Sequence, residues 1–279
     1  MVTIRAMRQE DIPFGLELCR VAGWNQLDAD WRRLLALSPD GVVVAEDAGR
    51  PCGTASAVRF GRRIGWIGMI LVHPDFRRRR VGTELMSRCV EHLRSRGMES
   101  IKLDATDEGR PVYRNLGFVD ERPIHRYAGR RPATIAQAGA ARPIQAADWM
   151  AISALDLRAF DADRIELLKR LAGDGPAGVV GDAGAVRAFG FARAGFEASF
   201  LGPVVAADGQ AAREVVLSLL DQLPEGRVYW DLLPDSAEAV RLAEALGFAP
   251  ARKLTRMHLG ETHPGRVELV YAGAGFELG

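Results

Sequence analysis

The sequence predicts a mixed α/β protein in which two copies of one fold follow each other, each a mostly antiparallel sheet flanked by helices. Two observations lead to this prediction. Apolar segments of strand length alternate with segments of helical periodicity along the chain. The motif Leu116-Gly-Phe118 also recurs as Leu246-Gly-Phe248, each time ending a helical segment that follows a strand with an internal aspartate. A chain of 279 residues is long enough for two domains.

The elements of the first copy follow from apolar spacing and from capping residues. An amphipathic helix is predicted from Asp11 to Ala22, where Gly23 ends it, and Asp28 is predicted to cap a second helix. The inner face of a third helix is formed by Val81, Leu85, Cys89 and Leu93. The remaining predicted elements are strands at 2–5, 42–46, 53–59, 64–72 and 100–105, the third helix over 81–96, a short helix that ends at Gly117 and a strand from Phe118.

Residues 129–141 are rich in small side chains and short of large apolar ones, which predicts a linker. We therefore assign residues 1–128 to a first domain and residues 142–279 to a second.

The chain has 37 basic and 36 acidic residues, and this near-balance argues against nucleic acid as a partner. Three separated cysteines and no apolar run of membrane-spanning length predict a cytoplasmic protein without a secretion signal. Five histidines without metal-ligand spacing predict no metal site.

The segment from Trp66 to Leu85 carries the clearest chemical signal. It combines an apolar strand, a turn, a basic loop and a helix start at Gly82. Unpaired N–H groups at a helix N-terminus favour anions, and glycine lets a ligand approach the backbone closely. Positive charge is concentrated beside this helix start by four consecutive arginines: Arg77, Arg78, Arg79 and Arg80. The segment therefore predicts a pyrophosphate site, although it matches neither a Walker loop nor a GxGxxG loop.

The run Val72-His-Pro-Asp-Phe-Arg-Arg-Arg-Arg-Val-Gly82 resembles motif A of the GNAT superfamily of acetyl-CoA-dependent N-acetyltransferases. Arg77 and Gly82 match the first and last positions of its pattern Arg/Gln-x-x-Gly-x-Gly/Ala, and Arg80 stands where the family usually has its inner glycine. Residues Tyr113 to Phe118 resemble motif B. The resemblance covers residues 2–128. The second half resembles the degenerate GNAT-like domain of a bacterial two-domain subgroup, a resemblance carried by residues 23–26, 66–69, 201–205 and 256–257. Because residues 201–213 lack motif A, we expect one acetyl-CoA per chain.

The resemblance implies roles for individual residues. The strand before motif A would pair its backbone with the pantetheine arm through Ile70, Leu71 and Val72, and an amide near Leu71 would polarise the thioester carbonyl. The pyrophosphate would be held by the amides of the loop and helix start: Arg79, Arg80, Val81, Gly82 and Thr83. Tyr113 would protonate the leaving thiolate. The base that takes the proton of the amine stays unassigned, with Glu46 and Asp104 as candidates.

Two assignments have alternatives of a structural kind. Trp24, Asn25, Gln26 and Trp31 surround a helix break, and they would either form a wall of the acceptor site or anchor and cap the helices. Tyr113 outside its motif would be a packing residue at a helix end.

The leading hypothesis is an N-acetyltransferase that acts on an amine, of a small molecule rather than of a protein, with a homodimer as a candidate assembly. The rival hypothesis is a non-catalytic acyl-CoA-binding sensor or scaffold. Neither a membrane partner nor a metal is expected, and a DNA-binding role for the four arginines is disfavoured because no recognition helix is evident.

Overall fold

The computed structural model describes residues 2–133, 135 and 141–279. The first half contains α1 (Ile12–Val21), α2 (Asp28–Leu37), α3 (Val81–Arg94), α4 (Arg110–Asn115), β1 (Val2–Ala6), β2 (Val42–Asp47), β3 (Arg50–Phe60), β4 (Ile64–Val72), β5 (Ser100–Ala105) and β6 (Val119–Arg130). The second half contains α5 (Trp149–Phe160), α6 (Ile165–Asp174), α7 (Gly209–Gln222), α8 (Ala237–Ala245), β7 (Ala177–Asp182), β8 (Ala185–Arg193), β9 (Ser199–Ala206), β10 (Arg227–Leu232), β11 (Ala249–Gly260) and β12 (Val270–Ala272). Both halves follow nearly the same order, which confirms the predicted repetition of one mixed fold.

The predicted helix boundaries need small corrections. Helix α1 begins at Ile12, because residues 9–11 form a separate 3₁₀ turn. Asp28 is the first residue of α2 and not its cap; the N-cap is Leu27, whose N–H donates to Asp30 Oδ2 at 2.8 Å. In the predicted linker, residues 129–130 belong to β6, and residues 134 and 136–140 lie outside the described part of the chain.

The two halves exchange strands within one mixed sheet. The strand order is β1-β2-β3-β4-β5-β11-β6-β10-β9-β8-β7, and β12 pairs with β9. Strand β11 of the second half therefore lies between β5 and β6 of the first, and β6 lies between β11 and β10 of the second. The interior of the sheet is common to both halves, although the family motifs are confined to the first.

Each half contains a parallel pair of strands that diverge. Strands β4 and β5 pair only from Ile64 to Trp66 on the β4 side, although β4 continues to Val72. In the second half β9 and β10 pair only from Ser199 to Leu201 on the β9 side. Beyond these short ladders, the backbone groups of β4 that face β5, and those of β9 that face β10, need hydrogen-bond partners from another element or a ligand. The divergence of β4 from β5 sets the position of the candidate site.

Helix α3 packs against the first half of the sheet with the face that the sequence predicts. Val81, Leu85, Cys89 and Leu93 are all buried, and each buried aliphatic side chain of this size contributes roughly 1.5–3 kcal/mol. This packing fixes the N-terminus of α3 beside the end of β4.

A buried arginine–aspartate pair joins each exchanged strand to the neighbouring strand of the other half, β6 to β10 and β11 to β5. We call these two junctions the seams. Arg126 of β6 donates through Nε and Nη2 to both carboxylate oxygens of Asp231 of β10, each at 2.7 Å. Arg256 of β11 makes the same contact with Asp104 of β5, at 2.9 and 3.0 Å. The two aspartates are the repeated strand residues found in the sequence. In each pair two hydrogen bonds join the guanidinium to the carboxylate, so removal of one partner leaves an uncompensated buried charge.

Replacement of Asp231 by alanine should lower the free energy of unfolding by about 3–5 kcal/mol, because Arg126 would remain buried without its counter-ion. Urea denaturation measures this change. The matched control is Asp221→Ala, which removes an exposed partner of Arg131 that also joins the two halves and should cost at most about 1 kcal/mol. Equal losses in the two variants would contradict the structural importance of the buried pair.

Candidate active site

A cavity lies where β4 diverges from β5, and about 110 Å³ of it is open to the centre of a water-sized sphere. Both halves of the chain contribute to it. From the first half come Trp24, Gln26, Tyr113 and the segment of β4 from 67 to 70, and from the second half come Arg252, Leu254, Phe276 and Glu277. The second half therefore completes the walls of the site.

A β-bulge shapes the strand that forms the floor of the cavity. Met69 and Ile70 together stand opposite Ala55 between two regular pairs of β3 and β4. Met69 has a left-handed φ of 54°, and Thr54 Oγ1 donates to its carbonyl oxygen at 3.0 Å. Such a bulge bends the strand and changes the direction of its backbone groups.

The pairing of β3 with β4 determines which amides face the cavity. His73 N donates to Cys52 O at 2.9 Å. Since hydrogen-bonded pairs alternate along an antiparallel ladder, Leu71 directs its N–H toward β3 and Val72 directs its N–H toward the open edge, whereas Ile70 belongs to the bulge. Leu71, near which the carbonyl-polarising amide is expected, therefore turns its N–H away from the open edge, and the preceding residue, Ile70, lines the cavity.

The helix start beyond β4 presents unpaired amides and positive charge. Arg80 caps α3 with a left-handed φ of 65° and no side-chain hydrogen bond, which leaves the first-turn N–H groups without an intrahelical acceptor. A left-handed residue is a natural place for glycine, so arginine there carries roughly 1–2 kcal/mol of strain. All four arginines of the loop are exposed. Arg77 Nε donates to Val72 O at 3.2 Å, and Arg79 Nη1 lies 3.8 Å from Asp47. Within the described residues Arg78 and Arg80 form no ion pair.

Gly82 has free space beside it. A Cβ at this position would lie 3.6 Å from Val72 Cγ2, an ordinary contact, so packing within the chain does not require glycine. The open space adjoins the first-turn amides, as an anion site requires. The residues present thus fit the diphosphate of a coenzyme.

Tyr113 of α4 lies at the cavity and fills the space beside Gly109, whose Cβ would come within 2.9 Å of the Tyr113 ring. Burial raises the pKa of the Tyr113 phenol to about 12. Within the described residues its hydroxyl forms no hydrogen bond, so the protonated phenol is available to a ligand.

Two carboxylates line the cavity, and only one was considered from sequence. Both oxygens of Asp104 accept from Arg256. Glu277 accepts from Gln26 Nε2 and from Arg193 Nη2, each at 3.2 Å, and burial raises the pKa of both carboxyls. The other sequence candidate, Glu46, pairs with Arg5 on β1 and does not line the cavity. Glu277 was missed because nothing near it in the sequence indicates the strand that it contacts.

The aromatic and amide cluster around the helix break divides into two roles. Trp24 and Gln26 line the cavity. Within the described residues, Gln26 Oε1 is buried without a hydrogen-bond partner. Asn25 instead binds the second half, since its side chain contacts the backbone of Glu197 and Ala198 at 2.8–3.1 Å. Trp31 is fully buried against α1 and forms no part of the cavity wall. Its packing role replaces the expected substrate contact.

The equivalent region of the second half is filled by the chain itself. Strand β12 pairs with β9 at Val204 and Val205, beyond the point where β9 leaves β10. At the start of α7, Asp208 caps the helix by accepting from Ala211 N at 2.9 Å. A carboxylate at this helix start repels anions, whereas α3 has arginines there.

Two further findings concern metals and membranes. Glu99, Glu261 and His263 hold possible ligand atoms within 4.8 Å of one another, outside the cavity. His263 Nδ1 already lies 2.9 Å from Asp161 Oδ2. No helix in the described part of the chain has the length and apolar character to cross a bilayer.

Comparisons with known proteins agree with this geometry. Residues 6–118 match the model of the acetyltransferase (GNAT) family, and residues 152–272 match an acetyltransferase (GNAT) domain model. The chain is 26% identical to the uncharacterized N-acetyltransferase YitH of Bacillus subtilis over 59% of this chain and 58% of that protein. It is 33% identical to an acetyltransferase of Pectobacterium atrosepticum over 39% of this chain and 79% of that protein. The match to YitH thus spans less than two thirds of that relative.

Solved structures resemble the whole chain. An acetyltransferase-like structure from Pyrococcus horikoshii covers 100% of this chain and 96% of its own at 24% identity, with a TM-score of 0.85. A tandem GNAT protein from the clavulanic acid biosynthesis pathway covers 94% of this chain and 100% of its own at 16% identity, with a TM-score of 0.65. These likenesses concern the fold. Together with the two family models, they show that the chain belongs to the GNAT acetyltransferase family, with two GNAT domains in tandem.

Proposed function

We propose that the protein transfers an acetyl group from acetyl-CoA to an amine of a small molecule, by direct attack of the amine on the thioester. One observation carries the proposal: in the first copy, the edge of β4 that leaves β5 runs from the cavity at residues 67–70 to the cationic helix start beside Val72. The second copy fills its strand edge with β12 and caps its helix with Asp208. We therefore expect one acetyl-CoA per chain.

Acetyl-CoA would supply the activated acyl group, and the residues of the first copy would hold it. The backbone of Ile70 and Val72 would pair with its pantetheine arm, and the first-turn amides of α3 with Arg78 and Arg80 would hold its diphosphate. The N–H of Ile70 would donate to the thioester oxygen as negative charge develops there. Tyr113 would give its proton to the departing sulfur.

The amine must lose a proton, since a free alkylamine has a pKa of about 10. Glu277 is the better placed of the two cavity carboxylates, because each of its oxygens has one partner while both oxygens of Asp104 are engaged by Arg256. Its raised pKa makes it a stronger base than an ordinary carboxylate. The unpartnered Oε1 of Gln26 would accept a second N–H of the amine.

The rival function, a non-catalytic acyl-CoA-binding module, requires the same coenzyme site but no acid or base in the cavity. Tyr113 and Glu277 favour the enzyme. Binding alone does not distinguish the two functions, whereas turnover does.

Replacement of Gly82 by valine should weaken acetyl-CoA binding at least about tenfold, because the branched side chain would occupy the space beside the first-turn amides. Calorimetric titration measures the affinity, and the wild type should bind one equivalent. Ser87→Val, at an exposed position of the same helix, is the matched control and should bind as the wild type does. Equal affinities of the two variants, or two sites per chain, would contradict the assigned coenzyme site.

Replacement of Tyr113 by phenylalanine should lower kcat about 10²–10³-fold and leave acetyl-CoA affinity unchanged, because a proton donor is lost without a change of shape. With its pKa near 12, the phenol stays protonated over the assay range, so Tyr113 should add no falling limb to the pH–rate profile below about pH 11. Tyr127→Phe removes a hydroxyl elsewhere and serves as the control. Unchanged turnover in the Tyr113 variant would exclude the acid role.

Replacement of Glu277 by glutamine should lower kcat/KM about 10²–10⁴-fold and keep acetyl-CoA binding. The ionised carboxylate is the active form, so wild-type activity should rise with pH through the raised pKa of Glu277, and the variant should lose this rising limb. Glu268→Gln, an exposed change in the same C-terminal segment, should act as the wild type. If the rising limb persists in the Glu277 variant, another group is the base.

A further inference from the structure

Arg252 lies on the wall of the cavity that the second half contributes. On β11, side chains alternate between the two faces of the sheet, so Arg252, Leu254 and Arg256 share one face. Both Arg252 and Leu254 line the cavity, and Arg256 contacts the cavity residue Asp104. The adjacent Lys253 is exposed and directed to the opposite face. The side chain of Arg252 is half-buried.

Every other charged group that lines this cavity has an opposite charge in contact with it. Arg126 is paired with Asp231, Asp104 with Arg256, and Glu277 with Arg193. Within the described residues, Arg252 has neither an ion pair nor a hydrogen bond. The cavity therefore presents one uncompensated positive charge.

The position of this charge is unfavourable without a ligand. Arg252 stands directly opposite Arg126 in the ladder between β11 and β6. Like charges at directly opposed positions repel. Burial and the charge of Arg126 both lower the pKa of Arg252, although a guanidinium stays protonated. An anion in the cavity would relieve this repulsion.

The repeated fold provides an internal comparison. Strand β6 of the first copy corresponds to β11 of the second, and Arg126 and Arg256 are equivalent because each forms the same pair with an aspartate. Arg122 and Arg252 lie four residues before them, so these two arginines are also equivalent. Arg122 forms ion pairs with Glu121 at 3.4 Å and Asp235 at 3.8 Å. Within the described residues, the chain thus neutralises Arg122 and leaves the equivalent Arg252 without a counter-ion.

We propose that the acceptor is a small amine that also carries an anionic group, a carboxylate or a phosphate, and that Arg252 binds this group. The proposal rests on the acetyl transfer proposed above. A guanidinium forms two parallel hydrogen bonds with either anion, and such charge-assisted bonds fix orientation as well as affinity. With the anion at Arg252, the amine would be directed toward Glu277 and Ile70, which line the same cavity.

The phosphates of acetyl-CoA are a competing partner for Arg252. In the proposed binding mode they lie at the start of α3, beyond the end of β4, whereas Arg252 belongs to the part of the cavity lined by β4 residues 67–70. The affinity of each variant for acetyl-CoA distinguishes these two uses of the residue.

The test compares matched amines that differ in the anion: glycine with glycinamide, phenylalanine with phenylalaninamide, and 2-aminoethyl phosphate with ethanolamine. Acetylation gives kcat/KM, and calorimetry in the presence of CoA gives binding without turnover. The wild type should prefer the anionic member of at least one pair, and Arg252→Gln should reduce that preference about 10- to 100-fold with acetyl-CoA affinity unchanged. Comparing each pair across variants cancels differences in amine reactivity.

Lys253→Gln is the matched control, because it removes one positive charge from the same strand on the opposite face, and it should keep the preference. Arg252→Lys keeps the charge without the planar fork and should restore part of it. The inference is overturned if Arg252→Gln leaves the preference unchanged, if no anionic amine binds or reacts, or if this variant loses acetyl-CoA affinity to the same extent. Binding of anionic amines that depends on Arg252 without any acetylation would uphold the anion site and contradict the proposed transfer.

Discussion

The exchange of β6 and β11 between the two halves is the constraint on which the rest of the structure depends. It places β11 of the second half beside β5 of the first, so that only β5 separates β11 from β4 in the sheet. Because the exchanged strands are central, Arg126 of β6 and Arg256 of β11 are buried, and Asp231 and Asp104 compensate their charges. A first copy without β11 would lack the wall that carries Arg252 and Leu254.

A diverging strand pair creates a backbone edge that must find hydrogen-bond partners, and the two copies satisfy this requirement differently. In the second copy β12 supplies them from within the chain. In the first copy the edge around Ile70 faces a cavity, so a ligand or water must supply them. One fold thus yields a self-filled copy that stabilises the sheet and an open copy that can bind an extended ligand.

The sequence predicted the features that are encoded within short segments. The buried face of α3, the basic helix start and the position of Tyr113 follow from spacing and motif. Periodicity indicates which side chains share a face but not which strand lies opposite, so Glu277 and Arg252 could not be assigned to a cavity formed by residues far earlier in the chain. Trp24 and Trp31 show the same limit, since Trp24 in the loop after α1 lies in the cavity wall, whereas Trp31 on α2 lies in the core.

The aspartates repeated in the two copies show how a local signal acquires its meaning from the fold. The sequence alone makes Asp104 a candidate base and gives Asp231 no role. In the structure each neutralises an arginine of the exchanged strand, and Asp104 does so with both oxygens at the wall of the cavity. Proton uptake by a carboxylate held in this way would break a bidentate ion pair in a buried site. Asp104 thus has a structural use, whereas each oxygen of Glu277 has a single partner, and within the described residues Arg252 is the cavity cation without one.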